Sequence, residues 1–417
     1  MIAAKRTRFI ALITCLAGVV AFGGCTSVAK RAPLGAHPKV DGESSETIRT
    51  LGIDHQFSEL SAASVAQRLR ASGTADAFSI LALSGGGANG AFGAGALVGL
   101  ARSGTRPRFS VVTGVSAGAL IAPYAFLGQE WDQQLTDAYT GGLADHLLQP
   151  RRLGVIFGSS AYSGAPLKRL VDHYLSDTLI KAIAGEAASG RLLLIATTNV
   201  DTGETVIWDL GSIAMNGGVR AKTLIREVLV ASASVPGMFP PVIIRVEAHG
   251  ATFDEAHVDG TASVPFIVPS AFSRIAERQD RAMPPPAVYV IVNGRLREDP
   301  LSVQLRFRSI MSRSISTGLS HMVRTTLELT ATTMQSDGAG LEYSAIPVAY
   351  PYFAPFDFRA AHMRQLFDYG YECARTGRLW VPAQHAFTNS GTRDGTVPSL
   401  NIVCPADDDL IRRFALR

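Results

Sequence analysis

Phe109-Ser-Val-Val-Thr-Gly-Val-Ser-Ala-Gly118 is the stretch that decides how the rest of the chain is read. Phe109–Thr113 is short, apolar and β-branched, which predicts a buried strand. Ala117–Leu127 is small and apolar and predicts the helix that follows. Between them, Gly114-Val-Ser-Ala-Gly118 fits G-x-S-x-G in the strand–turn–helix setting that gives this pattern its meaning. Gly114 and Gly118 leave room for a sharp turn that lifts the Ser116 hydroxyl off the strand end. The helix N-terminus beneath it favours negative charge at that point. Five-residue patterns recur by chance. The flanking elements and the absence of charge nearby set this one apart and make Ser116 a candidate nucleophile.

Upstream, Phe78–Leu83 reads as a second buried strand and Ala88–Ala101 as a helix packed close to a sheet. The loop between them, Ser84-Gly-Gly-Gly-Ala-Asn-Gly-Ala-Phe-Gly93, can turn several backbone N–H groups toward one point beside a positive helix end. Gly85, Gly86, Gly87, Asn89 and Gly90 are therefore candidates for holding a developing negative charge. Gly85, Gly87 and Gly90 also fit G-x-G-x-x-G, but no Asp or Glu occurs between Asp76 and Glu130 to serve a dinucleotide ribose. A Gly-Lys-Ser/Thr ending is absent as well, which leaves phosphate cradling a weak second choice and a tight packing turn the plain alternative.

Downstream, Leu192–Asn199, Thr205–Trp208, Thr252–Val258 and Ala287–Val292 read as strands, with a turn at Asp201-Thr-Gly203. Val219–Ala233, residues 298–335 and Ala360–Arg375 read as helices. Strands alternating with helices predict an α/β fold of three α/β/α layers with a mostly parallel central sheet.

A serine hydroxyl needs a base. His321, His362 and His385 follow in the order a Ser-Asp-His triad would use, but none sits in a loop of catalytic character. Asp259 is the better candidate. It closes a strand and precedes Gly260, at the carboxyl end where open α/β sheets keep their sites. A carboxylate near pKa 3.9 is a weak base, so the role requires burial or strong oxyanion stabilisation. Asp254 and Glu255 are rivals expected to face solvent from mid-strand, and His249 and His257 are expected to be partly buried spectators.

Gly85-Gly-Gly-Ala-Asn-Gly90, Gly114-Val-Ser-Ala-Gly118 and Asp259-Gly260, in this order, resemble the motifs of the patatin-like phospholipases. So do Asn199-Val-Asp-Thr-Gly203, Ala231-Ser-Ala-Ser-Val-Pro-Gly-Met-Phe-Pro-Pro241 and the Met363–Tyr371 segment. The resemblance implies a Ser116–Asp259 dyad without histidine, an oxyanion hole of N–H groups around Gly86 and Gly87, hydrolysis of membrane-lipid acyl esters, and no metal or organic cofactor. Two positions depart from the family pattern. Asn89 stands where Arg or Lys is usual, and Thr261 where a smaller residue, often Gly, follows Asp-Gly.

The N-terminus reads as an address. Lys5, Arg6 and Arg8 precede the apolar run Phe9–Phe22, and Gly23-Gly24-Cys25 follows, which resembles a bacterial lipobox with lipidation at Cys25. A plain secreted protein or a short anchor is the alternative. Thr26, rather than Asp, resembles lipoproteins sent to the outer membrane of a Gram-negative envelope. The expected organisation is a signal at 1–24, a tether and leader at 25–75 (with a short helix over Ser58–Ser72), a hydrolase domain at 76–380 with its core at 76–270, and a tail at 381–417. The chain has 417 residues, 47% of them hydrophobic and 18% charged, with a net charge of +4. Most of that excess sits in the address segment, so nothing favours nucleic acid as a partner. An exported chain can pair Cys373 with Cys404, although two buried free thiols remain the alternative. Leu305–Ile315 mixes basic and apolar residues, as a helix touching phospholipid heads or one covering the sheet would. Leu147–Tyr162 reads as a loop near the mouth of the site. A non-catalytic lipid-binding lipoprotein is the competing function, and the oligomeric state is left open.

Overall fold

The computed structural model describes residues 49–51, 68, 78–151, 159–248, 251–269, 285–298, 300, 302–336, 338–348, 350–351 and 354–383. In chain order they form β1 (Arg49–Leu51), β2 (Ser79–Leu83), α1 (Gly90–Ser103), β3 (Val111–Val115), α2 (Ala117–Leu127), α3 (Asp132–Thr140), α4 (Ala165–Tyr174), α5 (Asp177–Ala188) and β4 (Leu192–Asn199). Then follow β5 (Thr205–Asp209), α6 (Leu210–Asn216), α7 (Gly218–Ser232), β6 (Val242–Ala248), β7 (Ala251–Asp259), β8 (Ala287–Val292), α8 (Phe307–Ser336), β9 (Gly340–Ala345), α9 (Ala360–Arg375) and β10 (Val381–Pro382). The signal segment, Cys25, His249, His385, Cys404 and most of the leader and tail lie outside the described residues. So does the short helix read over Ser58–Ser72, apart from Arg68.

The strands form one sheet in the order β1-β5-β4-β3-β2-β8-β9-β10. Its centre, β4-β3-β2-β8-β9, is parallel throughout. Antiparallel strands close both sides, and the β6–β7 hairpin joins the end of β4. Central strands covered on both faces read as near-continuous apolar runs. Leu192–Asn199 is buried at every position, as are Ser79–Leu83 and Val111–Val115. Leu81, Leu83, Val112 and Ile195 face α1, α2, α7 and α9, while Ile80, Ala82, Val111 and Ala196 face α8 and the segment Val264–Ile267. These are the three layers the sequence predicted, with antiparallel edges added.

Some boundaries shift for identifiable reasons. β3 begins two residues late and runs through Gly114 and Val115, because its register on β2 and β4 carries it to the turn itself. α8 begins at Phe307 rather than near 298, as Pro300 opposes helix in the residue before it and supplies no N–H. β1 and β10 add edge strands within the stretches read as leader and tail. Cys373 is buried on α9 and disulfide-bonded, its partner lying outside the described residues, so the free-thiol alternative falls for this cysteine.

Candidate active site

Ser116 follows β3 with φ 54° and ψ −122°, then α2 begins. It alone among the described non-glycine residues has positive φ. Such a conformation costs an L-residue about 1–3 kcal/mol and persists only where its surroundings impose it. The imposition is visible. The Ser116 N–H donates to Ser232 Oγ at 3.0 Å, and the Ser232 hydroxyl donates to the Ala196 carbonyl at 2.7 Å. Gly118 presses on the end of β2, where a Cβ would lie 2.6 Å from the Leu83 carbonyl carbon.

Asp259 ends β7, paired with Thr197 of β4. Its N–H donates to the Ser234 carbonyl at 2.9 Å. Oδ1 accepts the Thr261 N–H at 2.8 Å and the Thr261 hydroxyl at 2.5 Å, and Oδ2 accepts the Ser116 hydroxyl at 2.5 Å. Both partners are nearly or fully inaccessible, Ser116 at 4% and Asp259 at 0% exposure. Burial pushes the Asp259 carboxyl up to about 6, against the downward pull of the Ser116 and Thr261 hydrogen bonds. The departure at Thr261 thus adds a donor to the carboxylate.

Two stretches noted for their resemblance hold this pair. Ala231–Pro241 supplies Ser232 to the Ser116 side and the Ser234 carbonyl to the Asp259 side. In the β4–β5 turn, Asp201 Oδ2 accepts the Ala256 N–H at 3.0 Å and the Val200 N–H donates to the Ala256 carbonyl at 2.8 Å, which fixes the strand that carries Asp259. Glu255, expected in solvent, is buried with its carboxylate 3.0 Å from His257 Nε2. It lies on the same strand face as Asp259, two pleats back, and so points into the molecule. His257 is fully buried, with Nδ1 2.9 Å from Thr197 Oγ1. Asp254 follows the expectation and is half-exposed beside Arg245.

The glycine loop lies against the elbow, since a Cβ on Gly85 would fall 3.1 Å from Ser116 Cβ. Its donors are not equivalent. The Gly85 N–H bonds the Pro265 carbonyl, that of Ala88 the Pro355 carbonyl, that of Asn89 the Gly86 carbonyl, and that of Gly90 the carbonyls of its own turn. Among the described residues, the N–H groups of Gly86 and Gly87 have no such acceptor. Gly87, at φ 58°, also lines the cleft that contains Ser116. Asn89 is half-buried at the N-cap of α1 and makes no side-chain capping bond. Gly90 is instead a close-packing point, 3.0 Å in the same Cβ sense from Ala117 Cβ.

Asn293, just after β8, was not singled out by any motif. It is fully buried. Its Nδ2 donates to the Ser84 carbonyl at 2.8 Å, its N–H to Ser84 Oγ at 2.8 Å, and its Oδ1 accepts the Gly93 N–H at 3.1 Å, so it clamps both ends of the glycine loop. Only its position after an apolar strand, at the carboxyl edge of the sheet, could have flagged it. Asn293→Ala strands two buried backbone groups and is expected to lose about 2–4 kcal/mol of stability in urea titrations. A loosened loop should also lower kcat by more than it changes KM in the same protein.

From Ser116 a cleft with a volume of about 100 Å³ runs beneath α3, α4 and α5, walled by Leu120, Tyr139, Leu147, Leu170, Leu179 and Phe239, among others. Its lining is almost wholly aliphatic and aromatic and contains no histidine. Leu147 places the start of the predicted mouth loop on this wall. His362 Nδ1 pairs with Asp357 at 2.7 Å, and His321 is exposed on α8 beside Arg324. Neither reaches Ser116. Among the described residues, no cluster of His, Cys, Asp and Glu could hold a metal ion.

A family model described as patatin-like phospholipase matches residues 81–270. This span begins in β2 and ends just past the segment that follows Asp259. Among solved structures, VipD from Legionella pneumophila is similar at 13% identity and a TM-score of 0.34, over 70% of this chain and 67% of that one. No curated protein matches.

Proposed function

We propose that this chain, whose residues 81–270 match the patatin-like phospholipase family, hydrolyses fatty-acyl esters of membrane lipids with a Ser116–Asp259 dyad. The observation that carries this reading is the 2.5 Å hydrogen bond from the Ser116 hydroxyl to a fully buried Asp259 whose carboxyl is pushed up to about 6. A base is most useful with a pKa near working pH, and burial brings this carboxylate toward it. Ser116 Oγ attacks the acyl carbonyl as its proton passes to Asp259 Oδ2. The oxyanion is received by the Gly86 and Gly87 N–H groups. Collapse expels the alcohol, which takes the proton from Asp259. Water then attacks the acyl-serine, gives its proton to Asp259, and the fatty acid leaves as the proton returns to Ser116. The apolar cleft is the acyl-chain site, since a long chain gains about 0.8 kcal/mol per buried methylene.

We further propose that the protein works in a bacterial cell envelope, exported and lipid-anchored through Cys25 at the outer membrane. Residues 1–24 would serve as signal, 25–75 as tether and leader, 76–380 as hydrolase and 381–417 as tail.

The pH profile tests the assignment of the base. Asp259 must be ionised to act, so kcat/KM for fatty-acid release is expected to fall about tenfold per unit below pH 6 and to be level above it. An acid limb near pH 7 that vanishes in His362→Ala would transfer the role to a histidine.

A further inference from the structure

α8 is the longest helix among the described residues, at 30 residues, and spans roughly 45 Å. β9, which follows it, has six residues and spans roughly 20 Å. α8 starts after the carboxyl end of β8 and delivers the chain to Gly340, which is paired with Ala287 at the amino end of β8. It therefore runs back along the sheet. Among the described residues, the apolar side chains that it packs in the core beneath, Val323, Leu327, Ala331 and Met334, lie in the second half. The first half overhangs the carboxyl edge of the parallel strands, where Ser116 and Asp259 sit.

That overhang is apolar on its outer side. Met311, Ile315 and Leu319 recur at intervals of four, one stripe of a helix, and are 43%, 56% and 39% exposed. Ile310 lies beside them, and Leu305, just before the helix, is 92% exposed. Phe356, on the wall of the Ser116 cleft, is exposed as well. Glu298 is half-buried against the inner side of this half, on Arg313, Ser316 and Ser320, and the chain that carries the stripe has charge of one sign. No Asp or Glu occurs between Asp299 and Glu328, whereas Arg306, Arg308, Arg313 and Arg324 do, and Arg306 is exposed. Arg313 is committed to Glu298.

We propose that the overhanging half of α8 lies in the interface of an anionic phospholipid membrane, Ile315 downward, and turns the Ser116 cleft toward its lipid. The charge pattern is complementary to anionic headgroups, and an apolar stripe flanked by arginine is what the headgroup–acyl boundary accepts. The proposal rests on the lipid-hydrolase reading for its purpose but not for its test.

The test places an environment-sensitive fluorophore on Ile315→Cys or on Val219→Cys in the full-length protein carrying Ser116→Ala, with the unsubstituted chain as a labelling blank. Val219 is 83% exposed at the start of α7, whose other end touches Ser116 through Ser232, so it reports the opposite pole. With vesicles of phosphatidylglycerol and phosphatidylcholine, the probe at 315 should shift to the blue and be shielded from acrylamide about fivefold, while the probe at 219 stays unchanged. Arg306→Gln should weaken the shift about fivefold in apparent vesicle affinity, and so should high salt. Shielding at 315 without vesicles overturns the proposal: if it grows with protein concentration a second copy covers the stripe, and if it does not another part of the chain does. A probe left equally accessible with vesicles also overturns it. Shielding by vesicles alongside a catalytically silent Ser116 protein would sink the hydrolase reading and leave the membrane surface standing.

Discussion

Asp259→Asn is expected to abolish turnover, by at least about a thousandfold in kcat, and to make the protein more stable at neutral pH. The two effects have one cause. The carboxyl at position 259 is held at about 6 in the folded protein against an ordinary value of 3.8, mainly by burial. A carboxyl raised by folding favours the folded state when protonated. That contribution is complete below about pH 3.8 and is lost as the pH rises through 6, which amounts to about 3 kcal/mol by pH 8. Asparagine keeps an oxygen for the Thr261 donors and carries no charge. Its advantage over the parent should therefore be small at pH 4 and reach about 1–3 kcal/mol at pH 8, a rise of several degrees in Tm. Urea titrations at the two pH values measure it. A variant less stable than the parent at pH 8 would mean that the ionised carboxylate is not held under tension.

Ser116→Ala and Ser116→Gly should be equally inactive, each below about one-thousandth of the parent, yet differ in stability. Both remove the hydroxyl that donates to Asp259 Oδ2 and leave a buried carboxylate with an unmet acceptor, at a cost of about 1–3 kcal/mol. Alanine keeps the Cβ that the backbone at φ 54°, ψ −122° disfavours, whereas glycine relieves it. Glycine is thus expected to be the more stable by about 1–2 kcal/mol, the reverse of the usual order for an alanine-to-glycine change. Chemical denaturation of the two variants decides the matter. The usual order would mean that the elbow stores no strain.

The chemistry-bearing residues were legible because each sits where a local signal changes. Ser116 stands between glycines at a strand-to-helix switch, and Asp259 stands before Gly260 at a strand end. Central strands were legible as apolar runs, with Leu192–Asn199 and Ala287–Val292 matching to the residue. What escaped was set by distant partners. α3 buries only Leu135 and Tyr139 from nine residues, too few for a clear period. Glu255 turns inward because β7 pairs with both β4 and β6, which no local pattern states. Asn293 meets Ser84 across 209 positions of sequence, and its role exists only once β8 lies beside β2. The stretch Ala231–Pro241 was visible only through its family resemblance. Its reason, one serine for the elbow and one carbonyl for the acid, is a matter of geometry.

The most direct measurement is fatty acid released from phospholipid mixed micelles by the full-length protein, beside Ser116→Ala, Asp259→Asn and His362→Ala. The dyad account predicts release by the parent and by His362→Ala at comparable rates, with both dyad variants reduced at least about a thousandfold. Release that survives in Asp259→Asn, or that falls with His362→Ala, would contradict it.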